Sequence, residues 1–545
     1  MLRLSKVSRF AVGLDFGTES ARLVLVDLES GEEAATVIDP YPHGVMTRAL
    51  PDGTRLGPDW ALQHPADYLT ATERLLRQAK KAVDADSIVG IGLDFTACTI
   101  LPATRDGTPL CLRPEFARRP HAYVKLWKHH AAQAQADRIN AMQPEFLDLY
   151  GGRTSSEWLH AKSLQILEEA PDVFEAADRI IEAGDWVVWQ LTGREERSVC
   201  QAGYKAHWQP ESRYPGASLL RELHPKFPAL ATKLSPPRPV GTRAGGLTTE
   251  WADRTGLPEG LPVAVAVIDA HAALPGLGVG EPGRLVMVMG TSTCHLLLSR
   301  HKVAIPGISG VVRDGVLPGL FAYEAGQPAT GDALEWWVRT LAWSSDGAGD
   351  VLFQRLNREA ASIPPGAGGL VALDWWNGSR TPLVNADLAG VIAGLTVGTS
   401  PAQVYRGMVE STAYGTRQVI EVFESGRSVE PVTELRVCGG LSRSPTVMQI
   451  YADVTGRTLH ASATPHASAR GAAVYGALAA GRAGGGYDTT EDALAHMRVA
   501  DFTEYRPDPA ARELYAALYG MYRELHQHFG EGGTVLMRRL KELRV

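Results

Sequence analysis

A carboxylate stands beside a Gly-Thr pair between two apolar segments near the start of the sequence. Residues 12–26 read VGLDFGTESARLVLV, so Asp15 ends one strand-like run and Thr18 opens the connection to the next. A two-residue hairpin turn favours Asn-Gly or Asp-Gly, whereas this connection carries Thr, Glu and Ser, and Arg22 follows. Polar and charged side chains at the tip of an apolar hairpin indicate a binding site rather than a plain turn.

A second Gly-Thr pair is found when the sequence is shifted by 273 residues onto itself. Gly17 and Thr18 then fall on Gly290 and Thr291, and apolar residues follow both pairs. Glycine lets backbone N–H groups approach an anion closely, and threonine adds a hydroxyl donor. Two such turns facing each other across a cleft would hold a polyphosphate, and Asp15 could hold Mg²⁺ through water. Two ordinary hairpins are the alternative, because common residue types also produce such a match by chance.

Two common nucleotide-binding signatures are missing from the sequence. It contains neither a GxxxxGK[ST] phosphate loop nor a GxGxxG between a strand and a helix. A Gly-Gly pair, Gly439 and Gly440, does follow a strand-like run. After three further residues come Ser444 and Pro445, an N-cap followed by Pro at the first helical position. This turn could flank the adenine or the ribose of a nucleotide, although an isolated Gly-Gly turn is weak evidence.

Strand-like and helix-like patterns alternate along the whole chain, which predicts an α/β fold. Strands are predicted at 89–95, 370–375 and 434–440, and helices at 403–425, ended by Gly426, and at 444–456. If the 273-residue match reflects a duplication, the chain forms two similar lobes. The predicted division is 1–275 and 276–545, and the cleft between lobes is a favoured place for a ligand.

Composition excludes several classes of protein. The 545 residues are too many for one core, and the net charge of −7 implies no general attraction to nucleic acid or to an anionic membrane. Five dispersed cysteines without a CxxC predict neither a disulfide framework nor a zinc site, and they fit a reducing cytoplasm. The most apolar stretch, 261–280, contains Asp, His and two prolines, so it reads as a buried strand and not as a membrane span.

Several segments together resemble the FGGY carbohydrate kinases, which share the actin-like ATPase (ribonuclease H-like) architecture of two lobes around an active-site cleft. The resemblance covers almost the whole chain and is carried by GLDFGTESAR, GIGLDFTACT, LRPEFA, LWKHHA, SSEWLHAK, AGDWVVWQLTG, AGYKAHW, VIDAHA, MGTSTCH, YEAGQ, DWWNGSRTP, YRGMVESTAYGTR and IYADVTGR. Within the family, AGYKAHW, YEAGQ and DWWNGSRTP are similar to the ribulokinases. This implies ATP-dependent phosphorylation of L-ribulose, a step of L-arabinose catabolism.

The resemblance also implies roles for individual residues. Asp269 lies at the family's catalytic base position, although an Asp that ends a strand and caps the next helix is the structural alternative. The other implied roles concern ATP, magnesium and the sugar: phosphate binding by Gly17, Thr18, Gly290 and Thr291, adenosine binding by Gly439, Gly440 and Ser444, Mg²⁺ binding by Asp15, and sugar binding by Thr96, Ala97, Lys205, Asp269 and Glu324. For Lys205 and Glu324 a solvated surface pair is the alternative.

Two departures from the family pattern are visible. The loop GGLSRSPTVMQ is one residue shorter than in many ribulokinases, which leaves the adenine contacts open, and His129 stands where an acidic residue is expected. A family kinase acting on D-ribulose, D-xylulose or ribitol stays open, and so does a non-catalytic actin-like ATP-binding protein. A homodimer is expected by analogy alone.

Overall fold

The computed structural model describes residues 8–341, 349–499, 501–532 and 534–543. Its strands in the N-terminal half are β1 Phe10–Phe16, β2 Ser20–Asp27, β3 Glu33–Pro40, β4 Leu62–Gln63, β5 Ile88–Phe95, β6 Ile100–Ala103, β7 Val124–Lys125, β8 Arg179–Glu182, β9 Arg197–Ser198, β10 Pro237–Arg238, β11 Arg243–Gly246, β12 Pro262–Ala264 and β13 Val267–Ile268. Those of the C-terminal half are β14 Arg284–Met289, β15 Thr293–Ser299, β16 Gly310–Arg313, β17 Phe321–Gln327, β18 Val371–Leu373, β19 Val391–Ala393, β20 Glu434–Cys438, β21 Thr458–Ser462 and β22 Phe502–Tyr505.

Helices separate most of these strands, as the alternating pattern predicts. They are α1 Pro65–Ala82, α2 Gln133–Ala141, α3 Leu159–Glu169, α4 Pro171–Ala176, α5 Ala183–Thr192, α6 Val199–Lys205, α7 Ala217–Leu223, α8 Thr249–Thr255, α9 Asp269–Gly276, α10 Gly331–Leu341, α11 Gly349–Ser362, α12 Pro401–Ser425, α13 Pro445–Thr455, α14 Ala467–Ala480, α15 Thr490–Met497, α16 Pro509–Gly530 and α17 Leu536–Glu542. Short 3-10 turns lie at Ala85–Ser87, Leu110–Leu112, Pro120–Ala122, Glu145–Tyr150, Phe227–Lys233, Gly440–Arg443 and Arg482–Gly484.

Two large sheets of the same design form the framework of the molecule. In the N-terminal sheet the strand order is β11-β12-β5-β1-β2-β3, with β13 also paired to β5. In the C-terminal sheet the order is β16-β17-β15-β14-β20-β21-β22. Each contains an antiparallel hairpin, β1–β2 or β14–β15, whose first strand pairs in parallel with a later strand, β5 or β20. The two Gly-Thr pairs are therefore the tips of equivalent hairpins, as the 273-residue match predicts.

Helix α14 packs on the N-terminal sheet at very short range. A Cβ atom on Gly92 would lie 1.7 Å from the carbonyl oxygen of Ala472, and one on Gly13 would lie 1.8 Å from that of Ala469. Glycine at these strand positions is required by the approach of the helix backbone. The C-terminal half is thereby packed directly against β1 and β5, the strands that carry the first carboxylates of the site.

The two predicted helices are present, with differences of one or two residues at their ends. Helix α12 begins after the N-cap Ser400, whose side chain forms a capping box with Gln403. It ends before Gly426, as predicted, but this glycine has φ −72° and not the left-handed conformation of a typical glycine cap. Glycine is favoured there by packing, because a Cβ would lie 2.8 Å from the Cδ1 atom of Ile305.

The structure also bears on the membrane-span and disulfide expectations. In the described residues no helix is both long enough and apolar enough to cross a membrane. The apolar stretch 261–280 forms β12, β13 and α9. All five cysteines, Cys98, Cys111, Cys200, Cys294 and Cys438, are free thiols, as their dispersed positions predict.

Candidate active site

Three aspartates converge at the carboxyl ends of neighbouring strands. Asp15 pairs in register with Asp94 across the parallel strands β1 and β5. Asp94 also pairs with Val267 of β13, and Asp269 follows that strand as the first residue of α9. Carboxyl ends of parallel strands meet at one edge of a sheet, so the register pairs Asp15 with Asp94 and the end of β13 brings Asp269 to the same edge.

The electrostatics of this cluster is dominated by burial and mutual repulsion. Burial, followed by the charge of Asp15, raises the pKa of Asp269 to about 7. Burial and the charges of Asp15 and Asp269 raise the pKa of Asp94 well above its usual range. Arg22 offsets part of this charge, since its Nη1 atom donates a hydrogen bond of 2.8 Å to Asp15. The raised pKa values of Asp94 and Asp269 show that this cluster disfavours further negative charge and would favour a bound cation.

The donor set of the cluster fits a hard divalent cation. Both carboxylate oxygens of Asp94 are buried and receive no hydrogen bond from a nitrogen donor of the described residues; their close polar neighbour is the carboxyl group of Asp15. Buried polar atoms without a partner are unfavourable unless a ligand or water satisfies them. Carboxylate oxygens are the ligands that Mg²⁺ prefers, and Mg²⁺ usually keeps several waters between itself and the protein.

The first Gly-Thr turn is fixed from three sides. The N–H group of Gly17 donates to the Ser20 carbonyl at 3.0 Å, so it closes the turn and is not directed outward. Gln63 donates to the carbonyl oxygen of Thr18 at 2.7 Å, and the Trp127 indole N–H donates to the Thr18 hydroxyl at 3.1 Å. Because Trp127 occupies an acceptor site of that hydroxyl, the O–H of Thr18 remains available as a donor.

The second Gly-Thr turn is exposed and lies against the start of a helix. The N–H group of Gly290 donates to the Ser292 carbonyl at 2.8 Å, the same type of contact as in the first turn. The N–H groups of Thr330, just before α10, and of Gly331 and Asp332, its first residues, donate to the carbonyl oxygens of Gly290 and Thr291 at N–O distances of 2.9–3.2 Å. A Cβ on Gly331 would lie 2.4 Å from the Gly290 oxygen, so glycine permits this docking.

The Gly-Gly pair forms the turn between β20 and the helix α13. Gly439 has φ +102°, and a Cβ there would lie 2.3 Å from the carbonyl oxygen of Met289, next to the second Gly-Thr turn. Gly440 has open space where its side chain would be. Ser444 is the N-cap of α13, and its hydroxyl donates to Oδ1 of Asn357 at 2.9 Å. That hydroxyl is therefore already engaged within the protein.

A buried ion pair joins the two halves of the chain next to Asp269. Lys205 at the end of α6 and Glu324 in β17 are 5% and 7% exposed, which excludes a solvated surface pair. Each carboxylate oxygen of Glu324 lies 2.9 Å from the Lys205 ammonium nitrogen. Burial alone would raise the pKa of Glu324, but Lys205 and then His271 lower it to about 2. Nε2 of His271, two residues beyond Asp269, lies 3.3 Å from Glu324 Oε2.

Thr96 and Ala97 form a short turn directly after β5. The Thr96 N–H donates to the Phe16 carbonyl at 3.1 Å, which ties this turn to the first Gly-Thr hairpin. The buried ammonium of Lys162 donates to the carbonyl oxygen of Cys98 at 2.6 Å. Cys98 has φ +56°, so the turn has a conformation that non-glycine residues rarely adopt.

Comparison with known proteins identifies the family. The description "FGGY family of carbohydrate kinases, N-terminal domain" matches residues 10–276, and "FGGY family of carbohydrate kinases, C-terminal domain" matches residues 285–480. The chain belongs to the FGGY family of carbohydrate kinases. It is 49% identical over 542 residues to the "Ribulokinase" of Bacillus licheniformis, covering 96% of this chain and 97% of that protein. It is 47% identical over 551 residues to that of Geobacillus thermodenitrificans, with 98% and 97% covered.

Solved structures show the same fold. A xylulose kinase from Rhodospirillum rubrum superposes with a TM-score of 0.79 at 26% identity, covering 95% of this chain and 98% of that chain. A gluconate kinase from Lactobacillus acidophilus has a TM-score of 0.80 at 16% identity, with 96% and 99% covered, and supports the fold alone. The FGGY kinase described here therefore has the α/β fold of two actin-like ATPase lobes, and it is an ATP-dependent carbohydrate kinase.

Asp94 is the residue of this FGGY kinase site that the sequence analysis did not single out. The signal was present, because GLDF occurs at 13–16 and again at 92–95. These two segments pair residue by residue across β1 and β5. Buried strands consist mainly of apolar residues. An Asp at the same position of two such segments therefore indicates that both contribute to one polar site. His129, noted as a departure from the family, is buried and hydrogen-bonds to Gln165 at 2.9 Å.

Proposed function

We propose that this FGGY kinase transfers the γ-phosphoryl group of ATP to L-ribulose, giving L-ribulose 5-phosphate and ADP in L-arabinose catabolism. The observation that carries the choice of substrate is the likeness to two ribulokinases at 47–49% identity over nearly the whole chain. The buried pair Lys205–Glu324 next to Asp269 supports it, because fixed charges in a water-poor pocket suit the hydroxyl groups of a sugar.

Asp269 is proposed as the general base. Its Oδ1 atom accepts a 2.7 Å hydrogen bond from the Ala270 N–H, which orients the carboxylate and leaves Oδ2 for the substrate. The primary hydroxyl oxygen of the sugar forms a bond to the γ-phosphorus while the bond to the β,γ-bridging oxygen of ATP breaks. Asp269 takes the hydroxyl proton, and ADP leaves. Lys205, Glu324, Thr96 and Ala97 are proposed to hold the sugar so that this hydroxyl faces Asp269.

The two Gly-Thr turns are proposed to hold the ATP phosphates. Because the N–H groups of Gly17 and Gly290 close their own turns, the threonines are the residues that present donors to phosphate. For the nucleoside, Gly439 and Gly440 are proposed to give close access to adenosine. Ser444 is also proposed to contact adenosine, as an acceptor, because its O–H group donates to Asn357.

Asp15 is proposed to hold Mg²⁺, with Asp94 beside it. The cation, when bound, would offset phosphate charge, and electrostatic positioning of this kind supplies most of the catalysis in phosphoryl transfer. The two lobes are proposed to comprise residues 1–275 and 276–545. The enzyme is proposed to act in the cytoplasm as a homodimer. Light scattering on the purified protein tests the last of these.

The proposed function is tested by measuring sugar-dependent ADP production from Mg-ATP. The sugars are L-ribulose, D-ribulose, D-xylulose, ribitol and glycerol, compared by kcat/KM. A clear preference for L-ribulose supports the proposal. A preference for another of them retains Asp269 and the Gly-Thr turns but overturns the substrate, and absence of sugar-dependent turnover overturns the proposed function.

A further inference from the structure

The motif DWWNGSRTP, residues 374–382, has no role in the site described above. It leads into a turn that docks on β17, the strand that carries Glu324. The N–H group of Thr381 donates to the carbonyl oxygen of Gly326 at 3.2 Å, and the Thr381 hydroxyl accepts from the Gly326 N–H at 3.3 Å. Ser379 and Asn385 close the turn with a reciprocal pair of hydrogen bonds of 2.8 and 2.9 Å. The turn is therefore held at a fixed position along this strand.

Arg380 occupies the space that a side chain on residue 326 would fill. A Cβ atom on Gly326 would lie 3.2 Å from Cδ of Arg380 and 3.3 Å from its Nη1 atom. Residues two apart in a strand point to the same face of the sheet, so this space lies on the same side as the carboxylate of Glu324. That face of β17 is directed at the N-terminal half, since Lys205 reaches Glu324 there. Arg380 thus stands on the sugar side of the strand.

The guanidinium of Arg380 extends from the C-terminal half toward Glu157 in the N-terminal half. Its Nη2 atom lies 3.9 Å from Oε1 of Glu157, and the arginine side chain is 38% exposed. This distance is too long for a hydrogen bond. Burial raises the pKa of Glu157, but His130 and Arg380 lower it to about 2, so the carboxylate is ionised. The described residues give the guanidinium no hydrogen-bond partner, although an anion orients it from across the cleft.

We propose that Arg380 binds the oxygen atoms of the sugar, and that Glu157 is the residue that positions it. This inference rests on the proposed function and extends it to a further sugar contact. A guanidinium carries five N–H donors in a planar fork, which matches neighbouring oxygens of a polyhydroxy ketone. Arg380 supplies the contact from one lobe and Lys205 from the other, so the sugar is bound between two cations on opposite sides of the cleft.

The first test compares Arg380→Gln with Arg153→Gln. Arg153 is exposed and also links the two halves of the chain, but its guanidinium already donates to the Val384 carbonyl at 3.2 Å within the protein. Loss of charge-assisted hydrogen bonds predicts an increase of about 10- to 100-fold in the sugar KM for Arg380→Gln. The KM for ATP is expected to stay within about threefold, and Arg153→Gln to leave both constants unchanged. An unchanged sugar KM in a folded Arg380→Gln variant that binds ATP overturns the inference.

The second test uses Gly326→Ala. The added methyl group meets Arg380, so the guanidinium must move, and the sugar KM is expected to rise severalfold. In the Arg380→Gln background the same substitution is expected to have no further effect on the sugar KM, because the arginine is already gone. If Gly326→Ala raises the sugar KM equally in the Arg380→Gln background, the methyl group acts through another contact. The Thr293 carbonyl oxygen, which also lies 3.3 Å from the new Cβ, would then explain the effect, and the result would count against the proposal.

The third test separates sugar binding from a simple salt bridge between the lobes. Calorimetric titration with the preferred sugar is carried out on Glu157→Gln and Arg380→Gln without nucleotide. If Arg380 binds the sugar, Arg380→Gln should lose much more sugar affinity than Glu157→Gln. If the two residues only form a salt bridge between the lobes, the two variants should lose the same affinity. Failure of the proposed function is distinguishable from failure of this inference, because the unaltered enzyme would then phosphorylate none of the ketopentoses in the ADP assay.

Discussion

The ammonium nitrogen of Lys205 lies 2.9 Å from both carboxylate oxygens of Glu324, although 118 residues separate them in the chain. The pair joins α6 of the N-terminal half to β17 of the C-terminal half in a buried position. A buried pair contributes little net stability, but a buried charge without its partner is strongly unfavourable. The same two residues therefore join the two halves of the chain and belong to the proposed sugar site.

The first prediction concerns this pair. Glu324→Gln should lower the free energy of unfolding by about 3–5 kcal/mol, because it leaves the Lys205 ammonium buried without a counter-charge. The double variant Lys205→Met, Glu324→Gln should regain most of that loss and still show no measurable sugar binding. Urea unfolding and calorimetric sugar titration measure the two properties. Equal stability of Glu324→Gln and the unaltered protein would show that the pair is not energetically coupled.

The second prediction concerns the base. Asp269→Asn should lower kcat at least about 100-fold, the minimum typical of general base catalysis, because the amide cannot accept the hydroxyl proton. ATP binding should stay within about threefold, since the proposed phosphate contacts lie in the Gly-Thr turns. Stopped-time ADP assays and nucleotide titration give the two values. Turnover at the level of the unaltered enzyme would remove Asp269 from the mechanism.

The third prediction concerns pH. Because the pKa of Asp269 is raised to about 7 and only the carboxylate accepts a proton, kcat/KM should rise tenfold per pH unit below 7 and level off above it. The raised pKa also means that ionisation of Asp269 destabilises the folded state as pH rises from about 4 to about 7. Asp269→Asn should therefore increase the melting temperature relative to the unaltered protein at pH 8 and not at pH 4. A pH–rate profile that is flat between 5 and 8 would contradict this assignment.

The fourth prediction concerns Asp94. Burial beside Asp15 raises the pKa of Asp94, so Asp94→Asn is expected to stabilise the protein without metal, since the change removes a carboxyl group whose ionisation is unfavourable in the folded state. The same variant should need a higher Mg²⁺ concentration for half-maximal activity. Thermal unfolding in EDTA and a Mg²⁺ titration of turnover measure these effects, with Asp27→Asn at the end of β2 as a control outside the cluster. An unchanged Mg²⁺ requirement would exclude Asp94 from the metal site.

The fifth prediction concerns the packing of α14 on β5. Gly92→Ala should destabilise the protein by about 3 kcal/mol or more, because its Cβ would lie 1.7 Å from a helix carbonyl oxygen. Gly520→Ala is the matched control: this glycine lies exposed in α16 with open space around it, and alanine there should stabilise by up to about 1 kcal/mol. Urea unfolding compares the two. A mild effect of Gly92→Ala would mean that α14 can shift without cost.

Local pattern was sufficient for much of the fold. Apolar runs, helix caps and the repeated Gly-Thr pair predicted the hairpins β1–β2 and β14–β15, the helices α12 and α13, and the α/β class. These features depend on residues close together in the chain, so periodicity and capping chemistry determine them. The family resemblance supplied the remaining site residues, including Asp269, Lys205 and Glu324, whose local sequence also fitted a capping Asp or a surface ion pair.

Only the tertiary structure decided which of these residues meet. The parallel register of β1 and β5 places Asp94 beside Asp15, and the docking of a distant turn on Gly326 places Arg380 on the same face of β17 as Glu324. The sequence by itself determined the local elements and the chemistry available at their ends. Contacts between residues far apart in the chain depend on how whole sheets and helices pack. The repeated GLDF segment is consistent with the pairing of Asp15 and Asp94, but only the packing of β1 against β5 establishes that contact.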